Sequence, residues 1–225
     1  MIRALRVSQV IAAAAFAASV VSGVAYAKEQ VFVAVIKGVT ADDTLKLPDG
    51  KVSKAPIAPG VYAVIRNDFA LFEPGKPAGK SGLEGLAEDG NAEALIGALK
   101  GLKGVRDAGM FIPGQSFKVI AEPGDRLAFA SMFVQSNDKF YAVGPNGIAL
   151  FDSMSAPISG DWTKSIELWD AGTEKDEAPG LGSNQAPRQP ALDTGPAEDG
   201  FVHIASDGFR YPPVDEVIQL ILSAK

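Results

Sequence analysis

The residues best equipped for chemistry are acidic and fall where strand-like runs give way to turns. Asp138 follows an apolar run in Ser136-Asn137-Asp138, and Asp170 directly follows the run that ends at Trp169. Gly172 then lets the chain turn, and Glu174 arrives four residues after Asp170. Two carboxylates separated by a glycine turn can face one point, and a third from another loop would complete an anionic oxygen pocket. Ca2+ takes about six to eight hard oxygens in a flexible geometry, whereas Mg2+ demands a stricter one and keeps its waters. Asp138, Asp170 and Glu174 are therefore candidate Ca2+ ligands, although spacing alone favours reading them as solvated loop carboxylates of an acidic chain. A glycosidase would use the same groups as acid and base, set about 5–9.5 Å apart beside a sugar subsite.

Other groups carry less. Gly75-Lys76-Pro77-Ala78-Gly79-Lys80-Ser81 imitates a phosphate loop but is one residue short of GxxxxGK[ST], and no βαβ pattern surrounds it, so it reads as a surface loop. His203 is the sole histidine, which excludes a multi-histidine metal site within the chain. It sits in Phe201-Val202-His203-Ile204-Ala205, and its neighbours Ser206 and Asp207 are too close in sequence to form a triad with it. Trp162 and Trp169 could stack on sugars, giving a carbohydrate-binding alternative, but Trp169 falls in an expected strand and reads as core.

Composition narrows the classes. The chain has 225 residues, no cysteine, 21 basic and 27 acidic side chains, and a net charge of −6. Disulfide scaffolds, thiol catalysis and cysteine-ligated zinc are excluded. An acidic chain without a basic run is a poor ligand for nucleic acid, where phosphate contacts dominate affinity. Residues 1–27 carry Arg3 and Arg6 as their only charges, then the apolar run Val10 to Val24, then Ala25-Tyr26-Ala27. This is the pattern of a signal peptide cleaved after Ala27, with no later segment long enough to span a membrane. Without residues 1–27 the net charge becomes −8, because two arginines leave. An exported chain with no Asn-x-Ser/Thr acceptor fits a bacterial periplasmic or secreted protein.

The elements that must position the acids are mostly strands. Val31 to Val39, Gly60 to Ile65, Phe117 to Ala121, Leu127 to Val134, Phe140 to Val143, Ile148 to Phe151, Ser165 to Trp169, Phe201 to Ala205 and Val217 to Leu222 are apolar, β-branched or alternating. Glu122-Pro123-Gly124-Asp125 joins two of them as a turn. One helical patch interrupts the series: Leu83, Leu86 and Ala87 closed by Gly90, then Asn91 capping a helix whose Ala92, Leu95, Ile96, Leu99 and Leu102 share a face. Strands and helices do not alternate, so the expected fold is a single all-β antiparallel sandwich over residues 28–225 with a small helical insertion. Residues 174–199 are rich in proline, glycine and polar groups and read as a long loop without apolar anchors.

At the acidic turns the chain resembles the spondin N-terminal (F-spondin) domain family, in its bacterial single-domain branch. The resemblance is carried by Ser136-Asn137-Asp138-Lys139-Phe140 together with Leu168-Trp169-Asp170-Ala171-Gly172-Thr173-Glu174, and is extended by Pro77 to Gly90 and by Pro123 to Met132. It runs from about Val31 to Gln189 and implies a C2-like β-sandwich that binds Ca2+ through Asp138, Asp170 and Glu174. Animal members act in matrix adhesion; this chain differs in having no cysteines and no accompanying repeats. The expectation is a non-enzymatic Ca2+-binding module whose further partner is an extracellular or envelope protein or a glycan.

Overall fold

The computed structural model describes residues 28–225, so the expected signal segment lies outside the described residues. In chain order the strands are β1 (Gln30–Gly38), β2 (Leu45–Lys46), β3 (Val52–Ser53) and β4 (Gly60–Arg66). Helices α1 (Leu83–Asp89) and α2 (Glu93–Leu99) follow, and then β5 (Val105–Phe111), β6 (Ser116–Ala121), β7 (Asp125–Met132), β8 (Lys139–Ala142), β9 (Ile148–Ala149), β10 (Gly160–Asp161), β11 (Glu167–Asp170), β12 (His203–Ile204) and β13 (Ile218–Ala224). One sheet has the order β10-β13-β1-β6; the other runs β12-β11-β8-β7-β4-β5, with β9 pairing β7. All these ladders are antiparallel, and β2 and β3 make a separate hairpin. The fold is the expected all-β sandwich with a small helical insertion.

Alternation decides which face each residue serves. Leu127 and Phe129 of β7 and Tyr141 of β8 point between the sheets, where they meet Phe32 and Ile36 of β1 and Leu220 and Leu222 of β13. The intervening residues point outward, and several are small: Ala63, Ala108, Ala128, Ala130 and Ala142. Alanine at these positions lets Leu83 and Leu86 of α1 and Leu95 and Leu99 of α2 lie close on the sheet, with Phe72, Phe140 and Trp169 filling the rest. The larger sheet is thus buried on both faces, which explains why β7 is apolar almost throughout.

Several expectations are refined. Of the expected strand Val217 to Leu222, residues Ile218 onward lie in β13, paired with β1 from Phe32 to Gly38, and Val217 is the turn before it. Asn91 Oδ1 accepts the Glu93 amide at 3.1 Å ahead of α2, one residue before the capping position, which Ala92 occupies. The helix stops at Leu99 near the left-handed Gly101, so Leu102 leaves the shared face and is 47 % exposed. Strand β5 was not expected, because Arg106, Asp107 and Gly109 break any apolar alternation. It is held in place by β4 and by Arg106, whose Nε donates to Asp125 Oδ2 and Nη2 to Glu122 Oε2, both at 2.6 Å, across the expected turn at 122–125.

This layering makes an unequal pair of substitutions informative. Phe129→Ala, fully buried between the sheets, should lose about 3–5 kcal/mol of unfolding free energy. Ile120→Ala, on the open face of the smaller sheet and 49 % exposed, should stay within about 0.5 kcal/mol of the parent. Urea unfolding of both variants measures the difference.

Candidate metal centre

Two of the three expected acids meet at one end of the larger sheet. Asp170 closes β11 and stands directly opposite Lys139, the first residue of β8. Cross-strand partners share a face, so the Lys139 side chain lies over Asp170, and its Nζ is 2.7 Å from Asp170 Oδ2. Asp138 precedes β8 and places Oδ1 3.4 Å from the same ammonium. Asp176 Oδ1 contacts it from the long loop, and Asp207 Oδ2 stands 3.5 Å away. Lys139 is 0 % exposed, and Asp138 and Asp170 are buried with it.

The remaining carboxylate oxygens are taken up by backbone amides. Asp138 Oδ2 accepts from Thr173 at 2.8 Å and Glu174 at 3.1 Å, and Asp170 Oδ1 accepts from Gly172 at 2.7 Å. The turn that aims these amides depends on Gly172, at φ +66°. A Cβ there would come within 2.5 Å of the Phe201 nitrogen, so the expected glycine turn is also a close backbone crossing. Asp207 accepts from the Phe209 amide at 2.8 Å and from Tyr211 Oη.

One oxygen each from Asp138, Asp170 and Asp176 lies within 4.8 Å of the others, so this triad could hold a metal ion. Glu174, the third expected ligand, is not one of these three. Glu174 offers its backbone amide to Asp138, but its carboxylate turns to Asn137, whose Nδ2 lies 3.1 Å from Glu174 Oε2. Backbone pairing of Lys175 with Pro196 and of Glu198 with Thr173 fixes Glu174 in a two-stranded turn, and Asp176, two residues on, fills the third corner. Asp176, Asp207 and the central Lys139 were missed, because 176 and 207 lie in loops distant in sequence and a lysine is not a metal ligand. The local hint was adjacency, since Lys139 stands between Asp138 and the strand expected from Phe140.

The long loop is anchored by polar groups in place of apolar ones. Asn137 Oδ1 accepts the Glu177 amide at 3.0 Å. The Glu177 carboxylate in turn accepts the Asn184 amide at 2.9 Å, and the buried Gln185 donates to the Ala178 carbonyl at 3.0 Å. Order here comes from satisfied hydrogen bonds under cover, a signal that hydropathy patterning does not carry.

Burial governs the electrostatics. It raises the Asp176 carboxyl to about 7 despite the Lys139 ammonium, with Asp170 and Asp138 adding repulsion. Burial likewise raises Asp138 against Lys139 and two amides. Asp207 goes the other way: burial opposes ionisation, but the bonds from Tyr211 and Phe209 and the nearby ammonium hold it below its usual range. Glu88 of α1 is raised to about 7 by burial, with the Glu174, Glu84 and Asp138 charges adding and a bond with Thr173 opposing. Burial costs the Lys139 ammonium something, yet the surrounding carboxylates keep it charged well above its usual range.

The other sequence features take structural places. Within residues 75–81, the Gly75 amide donates to Val202 and the Lys76 amide to Glu73, so both are engaged internally. His203 Nδ1 lies 2.8 Å from the Phe201 carbonyl and Nε2 is 3.6 Å from Asp170 Oδ2, at the rim of the centre. Trp169 is 6 % exposed against Phe72, and Trp162 packs against the inter-sheet core with its Nε1 buried, so neither offers an open stacking face.

Two consequences can be measured. Lys139→Met leaves several buried carboxylates without their counter-charge and should cost about 3–5 kcal/mol in urea unfolding at neutral pH. The pH profile has a definite sign. Asp176 and Glu88 bind protons more tightly folded than unfolded, so their contribution is complete below the ordinary carboxylate range near 4 and is lost as pH rises through about 7. In EDTA, the urea midpoint should therefore fall from about pH 5 to about pH 8, and Asp176→Asn should flatten that fall.

No protein-family model matches the chain, and no curated protein sequence does either.

Proposed function

We propose that the chain is an exported β-sandwich binding module whose loop-bearing end takes up Ca2+ at Asp138, Asp170 and Asp176. The observation that carries this reading is an excess of acids: four carboxylates surround a single ammonium, and burial already raises two of them, Asp138 and Asp176, toward their neutral forms. A divalent cation offsets that excess, and the unbranched Lys139 stem can yield room to it. Carboxylates from three separate segments suit the flexible, oxygen-rich shell of Ca2+ better than the strict octahedron of Mg2+. The resemblance to spondin N-terminal domains supports Asp138 and Asp170 in this role, with Asp176 in place of Glu174. Export rests on the pattern of residues 1–27. The buried, ammonium-capped position of the carboxylates favours a binding role over a glycosidase, which needs its two acids open to a sugar.

The test is thermal unfolding of the chain from Lys28 onward in EDTA and in millimolar CaCl2. Extracellular sites bind Ca2+ with dissociation constants of about 10⁻⁴–10⁻³ M, which gives a gain of about 1 kcal/mol. For a chain of this size that is a rise of about 2–4 °C. Asp170→Asn and Asp176→Asn should lose most of the rise, Asp193→Asn in the distal loop should keep it, and Lys139→Gln should enlarge it by removing the competing charge. Absence of a rise in both the parent and Lys139→Gln would remove Ca2+ from this account.

A further inference from the structure

A second site is carried by two cations on another surface of the same end. Two hollows adjoin there, of about 230 and 220 Å³, and Lys46 and Arg210 line both. The first is completed by Leu47, Pro48, Pro179 and Phe209, so it holds two positive charges, no acid, and otherwise apolar walls. The second adds Thr44, Tyr211 and Glu216. Both cations are exposed, and among the described residues neither has an ion-pair partner within 4.0 Å. This is a local positive charge on a chain of net charge −6.

We infer that this trough binds an acidic saccharide chain through the carboxylates of its uronate residues. Lys46 and Arg210 line both hollows, so a chain laid across the two passes both cations. The apolar hollow suits the C–H face of a sugar ring. In the polar hollow Glu216 can accept sugar hydroxyls, while its charge disfavours a ligand that is acidic along its whole length. An anionic lipid surface would need a flat cationic area, and this is a concave strip with an acid at one end.

The walls are held in place before any ligand arrives. Tyr211 Oη donates to Asp207, which faces Lys139, and the Gly180 amide donates to the Gln135 carbonyl at 2.9 Å beside Pro179. A preformed trough spends less of its binding free energy on ordering. The inference deepens the binding-module reading by naming a ligand class, but it uses none of the proposed Ca2+ ligands.

The experiment is calorimetric titration of the chain from Lys28 onward with tetragalacturonate, and in parallel with cellotetraose, an Asp/Glu decapeptide and phosphatidylglycerol vesicles. Tetragalacturonate should bind at least about tenfold more tightly than cellotetraose, a difference that narrows in high salt. Lys46→Ala and Arg210→Ala should each weaken it about tenfold, the loss expected for one charge-assisted hydrogen bond. Lys46→Glu with Arg210→Glu should abolish it. Melting temperature and Ca2+ response, read on the same samples, should match the parent, because both side chains are on the surface. Equal binding of the neutral and acidic oligomers would overturn the inference. So would uronate binding that survives the double charge reversal, or binding of the peptide or vesicles without the uronate. Failure of the Ca2+ response alone would leave it standing.

Discussion

A fully buried ammonium ringed by four aspartates organises one whole end of this molecule. The Lys139 side chain has no exposure, and Asp138, Asp170, Asp176 and Asp207 approach it from four separate segments. Breaking such a pair is expensive because the charges left behind are already out of water. The four segments therefore cannot move independently. The β8–β11 pair supplies the rigid base, and the loops carrying Asp176 and Asp207 close over it. Amides around Gly172 then take the carboxylate oxygens that the ammonium does not reach.

That centre is possible only because the larger sheet is covered on both faces. Alanines at 63, 108, 128, 130 and 142 bring the two short helices against the sheet, so its strand ends lie under protein instead of at a wet edge. Burial in turn raises Asp138, Asp176 and Glu88 toward their neutral forms. The same end of the sandwich thus holds clustered carboxylates for which protons and the Lys139 ammonium compete, three of them placed so that they could hold a metal ion. The cationic trough at Lys46 and Arg210 shares anchors with this centre through Tyr211 and the Gln135–Gly180 bond. Stability of the centre and the shape of the trough are consequently linked through the loops between them.

Much of the fold could be read from residue order alone. Alternating or continuous apolar runs identify the central strands, Glu122 to Asp125 identifies its turn, and the spacing of Leu83 through Leu99 identifies the helical insertion. These features are local: a period of two or of 3.6, or a glycine at a turn, is decided by residues within a few positions of one another. Asp138 and Asp170 were legible for the same reason, since each stands where a recognisable strand gives way to a turn. Strand β5 was not, because Arg106 is held by partners at 122 and 125, and Asp107 by Tyr62, that no local pattern reveals.

The tertiary structure alone decided what surrounds those acids. Glu174 and Asp176 differ by two positions, and both are acidic; the pairing of Thr173 and Lys175 with residues 196–198 turns one toward Asn137 and leaves the other at the centre. Residues 176–189 have few apolar anchors, yet Asn137 and Gln185 order them by hydrogen bonds formed across about 40 residues of chain. Asp207 and Lys139 are 68 positions apart and meet only when β12 and β8 flank β11. Sequence determined the strands, the insertion and two of the carboxylates, because short-range periodicity specifies them. Which charges share one buried space was decided by the sheet order, because electrostatic partners are chosen by distance in three dimensions and carry no period along the chain.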